Sequence, residues 1–169
     1  MALCSAWNIL IAVPGTNYVV LRSEQDGKLH CFDIASHVPL CSVAIPGATQ
    51  KSNAYVTSCK YEEPGRCYAA IVLVDDNLPR QDLLVVLCLN YGKPQPSLSI
   101  VLSYRYPDVD VFFSVALGPD VVAFTRPSPD NANVVTRTTI STGNIQTASL
   151  ALPNEVGLYL LALFFLNFA

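Results

Sequence analysis

Only two histidines, His30 and His37, occur in the chain, and neither stands beside a recognisable nucleophile motif. Nucleophilic catalysis needs a Ser or Cys with a base and an orienting acid in reach, and no G-x-S-x-G is present to supply the nucleophile. His30 falls in a strand-like run on the side alternating with Leu29 and Cys31, and His37 falls in a turn. Asp75, Asp76 and Asp82 cluster, as do Asp108 and Asp110. Paired carboxylates can bind calcium or act as acid and base, yet this spacing fits no EF-hand loop, and acidic pairs in turns are commonly just solvated. Gly65, Gly92, Gly118 and Gly143 read as isolated turn glycines, with no Gly-rich phosphate loop among them. Ser128, between Pro127 and Pro129, has the form of a proline-directed phosphorylation site. The expectation is a non-enzymatic protein with no catalytic residues, no metal site and no cofactor.

Cys4, Cys31, Cys41, Cys59, Cys67 and Cys88 make an even number without any C-x-x-C pair. The reading taken is buried, reduced thiols acting as small apolar residues; a disulfide is the alternative, and zinc lacks its usual ligand knuckles. No Asn-x-Ser/Thr sequon occurs, in keeping with a cytoplasmic or nuclear protein. With 51% hydrophobic and 14% charged residues, the chain favours strands buried on both faces over exposed amphipathic helices. Its net charge of −3 and few Lys and Arg argue against nucleic acid, whose binding needs clustered cations.

Residues of these types must be held by strands, because no window keeps a capped i, i+3, i+4 apolar stripe, except the last segment. Short Val/Ile/Leu/Tyr/Phe runs recur about every ten residues between Gly, Pro, Asn and Asp clusters. They fall into three groups of four: 7–13, 17–22, 28–34 and 39–45; then 54–61, 67–74, 82–90 and 97–104; then 110–117, 120–126, 133–140 and 145–152. In each group the third strand is expected to end in a short polar residue, at Asp33, Asn90 and Ser141, before a tight turn. Asp26-Gly27 predicts a type I′ hairpin between the second and third strands.

"DGKLHCFDIASHVPLCSV" (26–43) resembles a WD repeat, with Phe32-Asp33 where Trp-Asp would stand, and "ISTGNIQTASL" (140–150) resembles the same third-to-fourth turn. The stretch "VPGTNYVVLRSEQDGKLHCFDI" (13–34) is similar to blades of the propeller portion of fungal F-box-type proteins, while no F-box segment is found in the chain. The resemblance implies an all-β, incomplete β-propeller over 1–153, with blades at about 7–45, 54–104 and 110–152. It also implies a scaffold role that recruits a protein substrate for ubiquitin ligation.

A single four-stranded blade cannot bury both its faces, and closed rings use about 4–8 blades, so three blades read as a fragment with open edges through which it could self-associate. The apolar stretch within 154–169 reads as the start of a further blade, as a short helix, or as an altered end. A membrane tether is the alternative, although the 14 residues after Glu155 fall short of the roughly 20 that span a bilayer. In an antiparallel meander the second-to-third turns and the inter-blade connections share one rim. On that rim lie Tyr104, Arg105, Tyr106, Arg80 and Arg126, with the Tyr/Arg character of interface hot spots, and they are the candidate partner-binding residues. A propeller-type hydrolase or lyase fragment is the alternative function.

Overall fold

The computed structural model describes residues 7–13, 15–48, 53–75, 81–106, 114–127 and 133–150, with side chains described for 11–13, 15–48, 63–74, 82–105, 115–125 and 134–147. The segment 154–169, Arg80, Asp76, Asp108, Asp110, Ser128 and Cys4 lie outside the described residues, as do the side chains of Asp75 and Cys59.

All regular structure among the described residues is β-strand. The first sheet comprises β1 (Trp7–Ala12), β2 (Tyr18–Ser23), β3 (Leu29–Asp33) and β4 (Val38–Val43). The second comprises β5 (Asn53–Glu63), β6 (Arg66–Asp75), β7 (Gln81–Asn90) and β8 (Ser97–Tyr106), and the third β9 (Ser114–Leu117), β10 (Val121–Pro127), β11 (Asn133–Thr139) and β12 (Ile145–Leu150). Within each sheet every strand pairs antiparallel with its neighbours in sequence, so each is a four-stranded meander. β-branched and aromatic runs fit a pleated, buried surface, and the Gly, Pro and Asn clusters between them end the ladders. The all-β, three-sheet arrangement is therefore as the sequence leads one to expect.

The sheets pack face against face, and the second lies between the other two. Side chains alternate across a strand, so β6 and β7 feed two separate cores. Ala69, Ile71, Leu73, Val85, Leu87 and Leu89 join Ile11, Val20, Leu29 and Cys31 of the first sheet in one cluster. Ala70, Val72, Val74, Leu84 and Val86 join Leu117, Val122 and Phe124 of the third sheet in the other. Both strands consequently read as continuous apolar runs rather than as alternating ones. Burying each of the Val, Leu, Ile and Phe side chains contributes about 1.5–3 kcal/mol.

Two turn expectations are corrected. The β2–β3 connection is a four-residue loop, closed by Ser23 N–H donating to the Lys28 carbonyl (3.0 Å) and Gly27 N–H donating to the Ser23 carbonyl (2.9 Å). Gly27 has φ +68°, whereas Asp26 is not among the residues with positive φ. A type I′ turn needs both, so one left-handed residue closing a longer loop replaces it. The third strand of the third sheet ends at Thr139 rather than at Ser141, which lies in the turn. The register shows why: Tyr18 faces Asp33 and Val121 faces Thr139, so Thr139 occupies the position of Asp33. The four-residue loops that follow, 34–37 and 140–143, both end in a left-handed residue, His37 (φ +57°) and Gly143 (φ +69°).

Gly65 and Gly92, far apart in sequence, meet: a Cβ on Gly65, which has φ +76°, would lie 2.7 Å from the Gly92 Cα. Gly15 has a similar φ of +68° with nothing within 4 Å of its Cβ direction. Gly65→Ala is thus expected to cost clearly more stability than Gly15→Ala, where only the left-handed backbone penalty of about 1–2 kcal/mol applies. Leu84→Ala, at a side chain with 0% exposure, should cost about 2–5 kcal/mol through the cavity it leaves. Urea unfolding midpoints at constant m check both expectations.

Candidate functional site

The meander sorts the connections between two ends of the stack. At one end lie the β2–β3 turn and the chain leaving β4. There Ser23 Oγ accepts from the N–H groups of Gln25 (3.2 Å) and Asp26 (3.4 Å), and Asp26 Oδ1 accepts from the Lys28 N–H (3.0 Å). His30 Nε2 lies 3.3 Å from Asp26 Oδ2. Slight desolvation pushes the Asp26 carboxyl upward, but hydrogen bonds from Lys28, Ser23 and His30 outweigh it and hold the group below its ordinary value.

Two charged residues at this same end are buried: Arg22, which is not among the candidates, and Asp82, which corrects its reading as a solvated turn carboxylate because it lies inside β7. Arg22, the penultimate residue of β2, is 2% exposed, and Asp82, near the start of β7, is 0% exposed. Burial lowers the Arg22 pKa, and the nearby Glu24 carboxylate raises it in part. The available signal was a charge at the end of an otherwise apolar strand, in "YVVLR" and "DLLVVLCL".

Of the five candidate binding residues, the structure gathers three at the end of β8, where Leu83 faces Arg105 and Asp82 faces Tyr106. Tyr104 is half-buried and packs on the second core cluster. Arg105 is exposed, but its Nη2 donates to the Gly47 carbonyl, and Ser103 Oγ donates to the Pro46 carbonyl (3.1 Å). Both bonds hold the segment that leaves the first sheet against the second. Tyr106 and Arg126 are placed by backbone alone, Arg126 opposite Val134 near the end of β10, and their side chains lie outside the described residues. Arg80 lies outside them altogether.

At the opposite end a backbone latch recurs in all three sheets. The residue before the second strand offers its carbonyl to the N–H of the residue that directly follows the third: Ile34 donates to Asn17 (2.8 Å), Tyr91 to Gly65 (2.8 Å) and Ile140 to Asp120 (2.9 Å). The Asp120 carboxylate adds bonds from the Ser141 N–H (2.8 Å) and Oγ (2.7 Å). In the second and third sheets the latched side chain then packs on the core shared with the preceding sheet. Tyr91 lies against the first cluster, its ring 6.1 Å from that of Tyr18. Ile140 lies against the second cluster. Ile34 belongs to the first sheet among the described residues and is 53% exposed.

Among the described residues no group of three or more His, Cys, Asp and Glu is placed to hold a metal ion. Burial, followed by the neighbouring Cys41, pushes the Cys31 thiol up to about 12, and burial likewise raises Cys41 and Cys88. A thiol reacts as its thiolate, so these cysteines lack the lowered pKa of catalytic ones. Cys31, Cys41, Cys67 and Cys88 are free thiols. No described helix is long and apolar enough to cross a membrane.

No family model matches the chain, and no curated protein matches it in sequence. Among solved structures, a chain in the complex of the fission yeast SREBP-SCAP binding domains is similar in fold, with a TM-score of 0.55 at 13% identity. The match covers 90% of this chain and 39% of that one, so the chain spans well under half the length of its structural neighbour.

The raised Cys31 thiol carries a pH dependence. Below about pH 9 the thiol is protonated in both states; above it the unfolded chain ionises while the folded one holds its proton to about 12. Stability is therefore full below pH 9 and falls as pH rises through this window, by up to about 1.4 kcal/mol per pH unit. Urea unfolding at several alkaline pH values should show this loss in the wild type and a shallower one in Cys31→Ala.

Proposed function

We propose that this chain is a non-catalytic protein-interaction module, a segment of a β-propeller whose loop-bearing end engages a partner protein. The observation that carries the reading is the periodic packing at the latched end. Tyr91 and Ile140 each pack on the core shared with the sheet before their own, and Ile34 occupies the same place with 53% of its surface exposed. A stack built on that rule calls for a further sheet in front of the first, as successive propeller blades would supply. The match to only 39% of a larger chain, described as part of a complex of binding domains, supports both the longer stack and the interaction role.

The partner surface in this reading is the end of β8, where Tyr104, Arg105 and Tyr106 stand beside the exposed segment at Pro46 and Gly47. These residues lie in the last part of β8 rather than in the connection after it. A paired strand end holds binding groups in place at little entropic cost, while Tyr and Arg bury large contact area. The setting is cytoplasmic or nuclear. The resemblance to fungal F-box propeller proteins makes a substrate of ubiquitin ligation the partner class, and pairing through open sheet edges is a second mode of association.

The test measures affinity for each partner recovered on the immobilised chain. Tyr104→Ala combined with Arg105→Lys and Tyr106→Ala should weaken at least one specific partner by about tenfold or more, the Lys being able to keep the Gly47 contact. Ser36→Ala with Thr142→Ala, at the opposite end, should change nothing. If every partner is held equally by the first variant, the surface assignment fails.

A further inference from the structure

Two of the free thiols face each other across one ladder. In the β3–β4 pairing Cys31 lies directly opposite Cys41, and both belong to the side of the sheet that packs into the first core cluster. Directly opposed residues of an antiparallel pair have Cα atoms about 4.5–5.5 Å apart, inside the span a disulfide bridges. The register shift beside the pair, between Cys31 and Phe32, lets the backbone adjust there. The thiols also sense one another, since Cys41 helps to raise the Cys31 pKa. Their exposure differs: Cys31 is 0% exposed, whereas Cys41 is half-buried on β4, the last strand of its sheet.

We propose that Cys31 and Cys41 form a reversible dithiol–disulfide site that fastens β4 to β3, with a low-molecular-weight disulfide such as oxidised glutathione as the oxidant. The Cys41 thiolate attacks one sulfur of the oxidant, an S–S bond breaks, and one small thiol leaves. The Cys31 sulfur, giving its proton to solvent base, then attacks the Cys41 sulfur of the mixed disulfide and expels the second small thiol. The two protein thiols lose two electrons and two protons, and the oxidant becomes two thiols. Only Cys41 needs to meet the oxidant, so the burial of Cys31 does not block the reaction. A bond with one half-exposed sulfur falls in the labile class that ordinary thiols can reduce. This inference stands apart from the propeller reading.

The experiment incubates the full chain with oxidised glutathione at about pH 8, denatures it in an alkylating agent and maps its peptides, since exchange depends on thiolate. The expected product joins the Cys31 and Cys41 peptides with neither alkylated, Cys67 and Cys88 alkylated, and the link undone by dithiothreitol. Closure of the mixed disulfide should quicken about tenfold per pH unit, following the Cys31 thiolate fraction. Cys31→Ala should retain glutathione on Cys41, and Cys41→Ala should leave Cys31 unmodified. Separate alkylation of both cysteines, a glutathione adduct that persists on wild-type Cys41, or a different pairing would overturn the proposal. Should a variant fail to fold, the wild-type peptide map alone decides.

Discussion

Everything in this molecule depends on the two central strands of the second sheet, β6 and β7, having almost no face left for water. β6 and β7 send alternate side chains to opposite sides, and each side meets a different sheet. Ile71, Leu84, Val85 and Val86 all fall at 0% exposure although they point in opposite directions. Removing either outer sheet would therefore expose half of an apolar strand pair at once. That constraint explains the low charge content, because a strand buried on both faces has no solvent side on which to place Lys or Glu.

The second organising device is made of backbone. Each sheet closes one end by donating an N–H near the end of its third strand to the carbonyl before its second strand, and the acceptors are Asn17, Gly65 and Asp120. Three different residues serve one purpose because the carbonyl does the work, at about 0.5–1.5 kcal/mol per bond. The side chain is then free to specialise. Asp120 adds its carboxylate to the bond, whereas Gly65 lets the backbone at Gly92 come close. A repeat held in this way keeps its geometry without needing the same side chains, which accounts for three sheets that look alike only in their hydrophobic rhythm.

The residues at the end of β8 combine two duties. Arg105 and Ser103 hold the Pro46–Gly47 segment, and Tyr104 leans on the second core cluster. Contacts of this kind lower the entropy lost when a side chain is later fixed by a partner. Structural anchoring and the proposed recognition are compatible at these positions, with the exposed part of each residue left to the partner.

Strand positions, their grouping in fours and the all-β class were legible in the sequence, because period-two burial and Gly/Pro punctuation are local properties. The two strands buried on both faces announced themselves as uninterrupted apolar runs. Placement across the chain was not legible. Whether Asp26-Gly27 makes a two- or four-residue loop depends on where Ser23 and Lys28 pair, and Ser141 proved to be a turn residue only once Val121 fixed the register of Thr139. The contact of Gly65 with Gly92, the opposition of Cys31 and Cys41, and the anchoring of Arg105 on Gly47 likewise follow from register and stacking. Local composition determines which residues extend and which turn; only the packed sheets decide which of them meet, since a shift of a single residue in a ladder exchanges its neighbours and its face.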